Sequence, residues 1–372
     1  GEELFDVVVV GGGASGLTTA HRVLRELPGA KVAVTEAKDR AGGNVTTRTG
    51  NGRIWEEGPN SFQPGDAILT TACDVGLRDD ILLANPGSYR FVWWEGALRA
   101  LPATPMDAVF GDFLSLPGKI RAGLGAIGLG RDPMPEHEES VKEFVSRNLG
   151  EEAFQRLIDP FVSGVYAGDP STLSSVSATG RVQILEKEGG SLVAGALKLF
   201  QKMDKDKREK PPRDSRLPEI KGQTVGSFRN GLSQFVDALT ADISKNGCEV
   251  RLEWKLKKLS WDAQTKEHTL EYDTPSGPAR LRSKSIVLTA PSFVTSELLR
   301  DLSGKSADAL AEVKYPCVAA VTVEYPKSAF REPAHGKGIV NGFGQLHPRT
   351  QGIRTLGTIY SSSLFPNRMP DP

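Results

Sequence analysis

Phe5-Asp6-Val7-Val8-Val9-Val10-Gly11-Gly12-Gly13-Ala14-Ser15-Gly16 stands near the start of the chain and decides its fold. Val7 to Val10 is an unbroken β-branched run, the pattern of a parallel strand buried on both faces. After the glycines, Leu17 to Leu27 carries apolar residues at helical spacing, and Pro28-Gly29 ends that helix. Lys31-Val32-Ala33-Val34-Thr35 is a second buried strand, with Glu36 at its carboxyl end. Strand, helix and strand form one βαβ unit. Gly11-x-Gly13-x-x-Gly16 is weak evidence alone, but here it follows a strand and opens a helix. An acid lies 20 residues beyond Gly16, the interval expected for a carboxylate that accepts from a ribose hydroxyl. Gly11 permits the tight turn, Gly13 lets backbone approach a pyrophosphate, and Gly16 lets helix lie close on strand. The helix N-terminus then turns free N–H groups toward phosphate. The unit predicts a dinucleotide site.

Composition narrows the field from the other side. The 372 residues carry 46 Lys and Arg against 46 Asp and Glu, a formal charge of zero. That argues against general nucleic-acid binding, which draws on a net basic footprint. Cys73, Cys248 and Cys317 are too few and scattered for a disulfide framework, and none has zinc-site spacing, so no metal is expected. No run of about 18 apolar residues suggests a membrane-spanning helix. The chain shows no charged-then-apolar leader, so any transit peptide is expected to have been removed already. The length suits two or three domains with a sizeable core.

Glu36-Ala37-Lys38-Asp39-Arg40-Ala41-Gly42-Gly43-Asn44 extends the fingerprint as E-x-x-x-R-x-G-G. This form resembles the extension of flavin-dependent amine-oxidase-type enzymes and favours FAD over a nicotinamide. Arg40 can pair with phosphate or stand as a solvated turn residue, and Gly42-Gly43 admits a planar group. Trp55-Glu56-Glu57-Gly58-Pro59-Asn60-Ser61-Phe62 is similar to the next flavin-contacting segment of those enzymes.

Longer runs sharpen the resemblance. Leu157-Ile158-Asp159-Pro160-Phe161-Val162-Ser163-Gly164-Val165-Tyr166-Ala167-Gly168-Asp169-Pro170, the stretch Gln223 to Leu232, Gly342-Phe343-Gly344-Gln345-Leu346-His347-Pro348-Arg349-Thr350-Gln351-Gly352 and Thr355 to Pro366 resemble the oxygen-dependent protoporphyrinogen oxidases of plants and algae, plastid type most of all. The matches run from Phe5 to Arg368. The resemblance implies six-electron oxidation of protoporphyrinogen IX with FAD, dioxygen as acceptor and hydrogen peroxide as by-product, in haem and chlorophyll synthesis within the chloroplast. It implies an FAD seat at Gly11, Gly12, Gly13, Ala14, Ser15, Gly16, Glu36, Ala37, Asn44 and Gly58, Pro59, Asn60, Ser61, to which the reading of the motif adds Arg40, Gly42 and Gly43. Leu256, expected at the end of the Val250 strand, would be a main-chain contact near the adenine. Arg90 would pair with a propionate, Gly164 would lie against the tetrapyrrole, and Leu346 and Leu356 would grip its rings. Read without the resemblance, Arg90 is an ordinary strand arginine and the two leucines are core residues. No catalytic acid or base is nominated, since a surface or backbone-bonded role suits His347 and the flavin carries the hard chemistry. A homodimer or association with neighbouring tetrapyrrole-pathway enzymes remains open.

The resemblance implies an α/β fold, α+β in part: a Rossmann-like FAD-binding domain (1–85 and 223–292), a mixed-sheet substrate domain (86–105 and 293–372) and a helical membrane-facing domain (106–200). Residues 201–222 read as a charged flexible loop. Asp66 to Leu83 is expected as helix, Arg90–Trp94 and Ala97–Leu101 as a hairpin, and Glu249–Trp254, His268–Tyr272, Ser285–Ala290 and Ala319–Tyr325 as strands. Phe113 to Arg131, apolar with two interior cations, suits either an interfacial helix with peripheral membrane contact or a buried one. The family's chains are expected to continue past Pro372 with a segment that closes over the flavin. Two other readings therefore stand beside the oxidase: an amine- or carotenoid-type flavin enzyme, and a non-catalytic scaffold or assembly subunit.

Overall fold

The computed structural model describes residues 3–102, 107, 110–209, 212–326, 329 and 342–370. The valine run becomes β1 (Glu3–Val10), which lies parallel between β2 (Val32–Thr35) and β12 (Gly277–Leu288) in a six-stranded sheet. Beyond β2 lies β9 (Glu249–Arg251), also parallel. Beyond β12, β11 (Glu267–Thr274) and β10 (Lys255–Asp262) continue antiparallel. Val9 faces Val34 and Val287 across the register, and Val8 and Val9 are wholly buried. Both faces of β1 are covered, which is why its apolar run is continuous rather than alternating. On one face α1 (Ala14–Glu26) and α8 (Ser233–Lys245) bring Leu17, Ala20, Leu239 and Ile243 against Val7 and Val9. On the other, Phe5 and Val8 join Leu259, Leu270, Tyr272 and Leu281.

A second sheet has four short strands, in the order β14 (Gly357–Ile359), β13 (Gly344–Leu346), β6 (Arg90–Trp94) and β7 (Ala97–Ala100). The expected hairpin forms β6 and β7, turned at Glu95 and Gly96, both at positive φ. Two short antiparallel pairs flank the sheets: β3 (Thr47–Gly50) with β4 (Arg53–Glu56), and β5 (Ile81–Leu83) with β8 (Gly226–Phe228). Between the hairpin and β8 run the helices α3 (Leu116–Ala126), α4 (Val141–Leu149), α5 (Asp159–Tyr166), α6 (Ser175–Gly189) and α7 (Leu192–Glu209). A short π-helix, Phe154–Ile158, leads into α5. Among these helices Arg147 bonds the buried carboxylates Glu139 and Glu186, so the charges taken from water there are paired.

Several expectations change. The helix from Asp66, α2 (Asp66–Asp74), stops short of Gly76, which takes φ +82°; Ile81–Leu83 is instead the strand β5, whose partner lies over 140 residues away. Residues 201–209, expected within the 201–222 loop, continue α7. The stretch holds no helix breaker before Pro211-Pro212. Ala319–Tyr325 carries strand residues but joins no sheet among the described residues; Val321 is 82 % exposed. β-propensity needs a neighbouring strand to express it, and that stretch meets none here. Finally, the Val250 strand ends at Arg251, a turn places Glu253 at φ +59°, and Leu256 belongs to the following strand, β10. The helix Ser292–Leu299 sends Leu298 into the six-stranded sheet's core, beyond the boundary expected at residue 292.

Candidate functional site

The loop between β1 and α1 is shaped by contacts that a side chain would obstruct. Gly11 takes φ +113°, and a Cβ at Gly16 would collide with the Gly11 carbonyl oxygen. Gly12, expected in the FAD seat, lies under Glu36: a Cβ there would stand 2.9 Å from the Glu36 Cβ. The second glycine pair lies against the first, with the Gly42 amide donating to the Gly12 carbonyl at 2.7 Å. α1 begins without a side-chain cap and without an acid in its first turn. The amides of Ala14, Ser15 and Gly16 precede its first internal bond and face outward as an anion seat.

Glu36 is buried at the end of β2. Its Oε2 accepts from the Gly12 amide and its Oε1 from the Lys38 amide, each at 2.8 Å. Each carboxylate oxygen keeps a further lone pair for a ribose hydroxyl. Ala37 is exposed beside it, and the Trp254 amide donates to the Glu36 carbonyl, so the turn before Leu256 closes against this acid. Leu256 itself is buried with Tyr272 opposite. An uncapped helix start, a glycine cradle and a fixed acid at ribose distance together fit a dinucleotide.

Arg40 departs from the phosphate pairing offered for it. Its Nη1 donates to the carbonyls of Ala41 and Val45, and its Nη2 to the Gly43 carbonyl and Thr46 Oγ1. Both terminal nitrogens are spent shaping the Gly42-Gly43-Asn44 loop, so its role is to hold that loop. Gly58 is held by the same loop, since a Cβ there would run into the Asn44 carbonyl. Pro59, Asn60 and Ser61 follow, and Asn60 Nδ2 lies 3.3 Å from Ser361 Oγ.

At the four-stranded sheet the structure brings Gly164, Leu346 and Leu356 together. A Cβ on Gly164 would stand 2.5 Å from Leu346 Cδ2 and 4.0 Å from the Leu356 carbonyl. α5, which carries Gly164, is fixed there by Arg349, whose amide donates to Asp159 and whose Nη2 donates to the Gly168 carbonyl. Arg90 pairs in register with Gly344 at the exposed start of β6. Its Nη2 donates to Thr224 Oγ1 at 2.6 Å, its guanidinium lies over the Phe343 ring at 5.1 Å, and no carboxylate pairs with it among the described residues. A planar cation braced on an aromatic ring and lacking an acid partner can still receive a carboxylate. Thr224 and Phe343 were invisible as neighbours of Arg90 in sequence, since they lie over 130 residues away.

Glu56 and Arg368, both buried, join the two sites. Arg368 Nη1 meets Glu56 Oε1 at 2.8 Å, an ion pair without hydrogen-bond alignment, and Nη2 donates to Ser227 Oγ at 2.7 Å. Glu56 also accepts from Thr47 Oγ1 and the Leu232 amide.

Residues 14–372 match the model of the family described as flavin containing amine oxidoreductase, and the chain belongs to that family. Within it the chain groups with the plastid-type protoporphyrinogen oxidases. It is 55 % identical over 367 residues to the chloroplastic protoporphyrinogen oxidase of Oryza sativa subsp. japonica, covering 98 % of this chain and 67 % of that one. To the chloroplastic enzyme of Nicotiana tabacum it is 53 % identical, covering 98 % and 65 %. The chain thus spans about two thirds of the length of these curated relatives. A crystal structure from Exiguobacterium sp. 255-15 aligns over 100 % of this chain and 75 % of its own with a TM-score of 0.72 at 22 % identity, a likeness of fold. The cofactor of this protein is FAD.

Proposed function

We propose that this chain carries the FAD and tetrapyrrole sites of an oxygen-dependent protoporphyrinogen IX oxidase acting in the chloroplast, as the names of its relatives suggest. The observation that carries the reading is the convergence of Gly164, Leu346 and Leu356 at the sheet that also bears Arg90, in a chain that also holds a glycine cradle fitted to a dinucleotide. FAD, when bound, supplies a two-electron acceptor that dioxygen restores, so three rounds remove six electrons and release three hydrogen peroxide molecules. The residues of the chain supply position. Ala14, Ser15 and Gly16 amides would hold the pyrophosphate, Glu36 the adenosine ribose, and Gly42 to Asn44 with Gly58 to Ser61 the approach to the flavin. Arg90 would bind a propionate bidentately, while Leu346 and Leu356 would shield the rings from water against Gly164.

Membrane contact rests on α3. Leu116, Ile120 and Leu124 along it, and Ile127 just past its end, are exposed at spacings of three and four residues, while Lys119 sits among them. An apolar stripe facing outward suits peripheral docking at a bilayer surface. Among the described residues no helix is long and apolar enough to cross a membrane.

The test is direct. The purified chain is expected to show a bound-flavin absorption band and, given protoporphyrinogen in air, rising porphyrin fluorescence. A chain without that band overturns the FAD seat. A band without porphyrin formation, in a chain that also fails to bind protoporphyrin, overturns the tetrapyrrole site.

A further inference from the structure

Leu346 ends β13, flanked by one polar residue within the strand and one just beyond it, which the alternation of extended chain places on the face away from Gly164. These are Gln345 and His347, and they are linked end to end. His347 is buried, and its Nδ1 lies 3.0 Å from the Thr355 carbonyl and 2.7 Å from Thr355 Oγ1. A carbonyl can only accept, so Nδ1 carries the proton and Nε2 is left to accept. The Gln345 amide nitrogen donates to that Nε2 at 2.9 Å. This turns Gln345 Oε1 outward, where the Tyr360 hydroxyl donates to it at 2.8 Å. One main-chain carbonyl thereby sets the polarity of a chain four residues long.

The strands this chain spans have little else to hold their register. β13 and β14 share three residue pairs, and all of β14 is exposed. Register in a strand with a buried face is fixed by burial, and a slip of one residue would exchange the faces. β14 lacks such a face, and the polar chain supplies a constraint. It starts at Thr355, next to Leu356, and passes both neighbours of Leu346. It ends at Tyr360, whose neighbour Ser361 meets Asn60 at the expected flavin segment. The His347 amide also donates to the Leu356 carbonyl, and the Tyr360 amide to that of Phe343, the residue beneath Arg90.

We propose that Thr355, His347, Gln345 and Tyr360 form a positioning chain that holds Leu346 and Leu356 as a matched pair for the rings of a tetrapyrrole. The role rests on the tetrapyrrole reading above. None of the four is a catalytic residue; they act through the two leucines.

The test uses the 372-residue chain with its flavin, and the variants Tyr360→Phe and Gln345→Leu. Tyr360→Phe deletes one hydroxyl and keeps the ring. It is expected to weaken protoporphyrin binding, read by fluorescence titration, and to raise KM for protoporphyrinogen, each about fivefold. kcat is expected to stay within about twofold and the flavin band to keep its shape, because the leucines grip substrate without entering the chemistry. Gln345→Leu breaks two links and is expected to cost about tenfold or more, and adding Tyr360→Phe to it is expected to change nothing further, as members of one chain are not additive. Should Gln345→Leu fail to fold, the same non-additivity is read between Tyr360→Phe and His347→Asn. Variants that melt earlier yet bind porphyrin as tightly as the wild type would mean a structural role only and overturn the proposal. So would strictly additive effects. A wild-type chain that binds no protoporphyrin overturns the tetrapyrrole reading itself, a result distinct from equal binding by wild type and variants.

Discussion

In the six-stranded sheet Val8, Val9, Val34 and Leu270 are wholly buried; in the four-stranded sheet every residue of β14 is exposed. The first sheet gains its order from apolar area on both faces, and its loops hold their shape because the scaffold beneath cannot move. In the second, β13 and β14 have three residues each and a small cluster of Ala84, Leu364 and Phe365 lies nearby, so polar links carry more of its geometry: Arg349 to Asp159, Tyr360 to Gln345, Arg368 to Glu56. A cofactor seat made of backbone amides needs the first kind of support. A broad apolar grip for a substrate that enters and leaves can rest on the second.

The Glu56–Arg368 pair is where the two regions are tied, and breaking it is expected to have the largest effect. Both groups are nearly free of solvent, so Glu56→Gln leaves a buried guanidinium without its counter-charge at a cost of about 3–5 kcal/mol. Chemical denaturation would read this as a large drop in midpoint. A change under about 1 kcal/mol would show the tie to be incidental and the two regions independent. Next comes the core of the first region. Leu239→Ala removes a wholly buried side chain and is expected to cost about 2–5 kcal/mol, whereas Ile359→Ala on exposed β14 is expected to stay within about 0.5 kcal/mol. Equal costs at the two sites would erase the contrast between the sheets.

The same contrast decides what could be read in advance. The Val7–Val10 run, the three glycines and the 20-residue interval to Glu36 are local signals, and each maps onto one short stretch of chain. β5 was hidden because Ile81-Leu82-Leu83 extends a helical stripe and its partner Gly226–Phe228 lies far along the sequence. Residues 202–209 look like a loop because they lack apolar periodicity, yet no proline or glycine interrupts the helix there before Pro211. Ala319–Tyr325 shows the reverse, strand residues without a strand to meet among the described residues. At the site, Arg40 offered a plausible phosphate partner, and only coordinates could show its donors taken by Ala41, Gly43, Val45 and Thr46. Arg90, Gly164, Leu346 and Leu356 came together in the reading through family resemblance alone, since no spacing relates them. Thr224, Phe343 and the Gln345–His347–Tyr360 chain depend on contacts across the fold, and nothing local announces them.

The smallest expected effect lies on the exposed side of the second region. Asp169 is held below its ordinary value of 3.8, first by the Ser171 amide and hydroxyl and then by Arg349, which meets it at 3.1 Å. A carboxyl lowered on folding contributes stability above its unfolded value and loses that contribution as the pH falls through its folded value. Arg349 therefore keeps this link to the Gly164-bearing stretch at neutral pH and sheds it only in acid. Both groups are about half exposed, so solvent screens the pair, and Asp169→Asn is expected to cost about 0.2–1 kcal/mol at neutral pH. That difference from wild type should shrink as the pH drops below 3.8, where the wild-type carboxyl also takes up its proton. Thermal melts of the two proteins at neutral pH and in that acid range would read it. A gap that stays constant or widens in acid would show that the Ser171 and Arg349 contacts do not depend on the charge of Asp169.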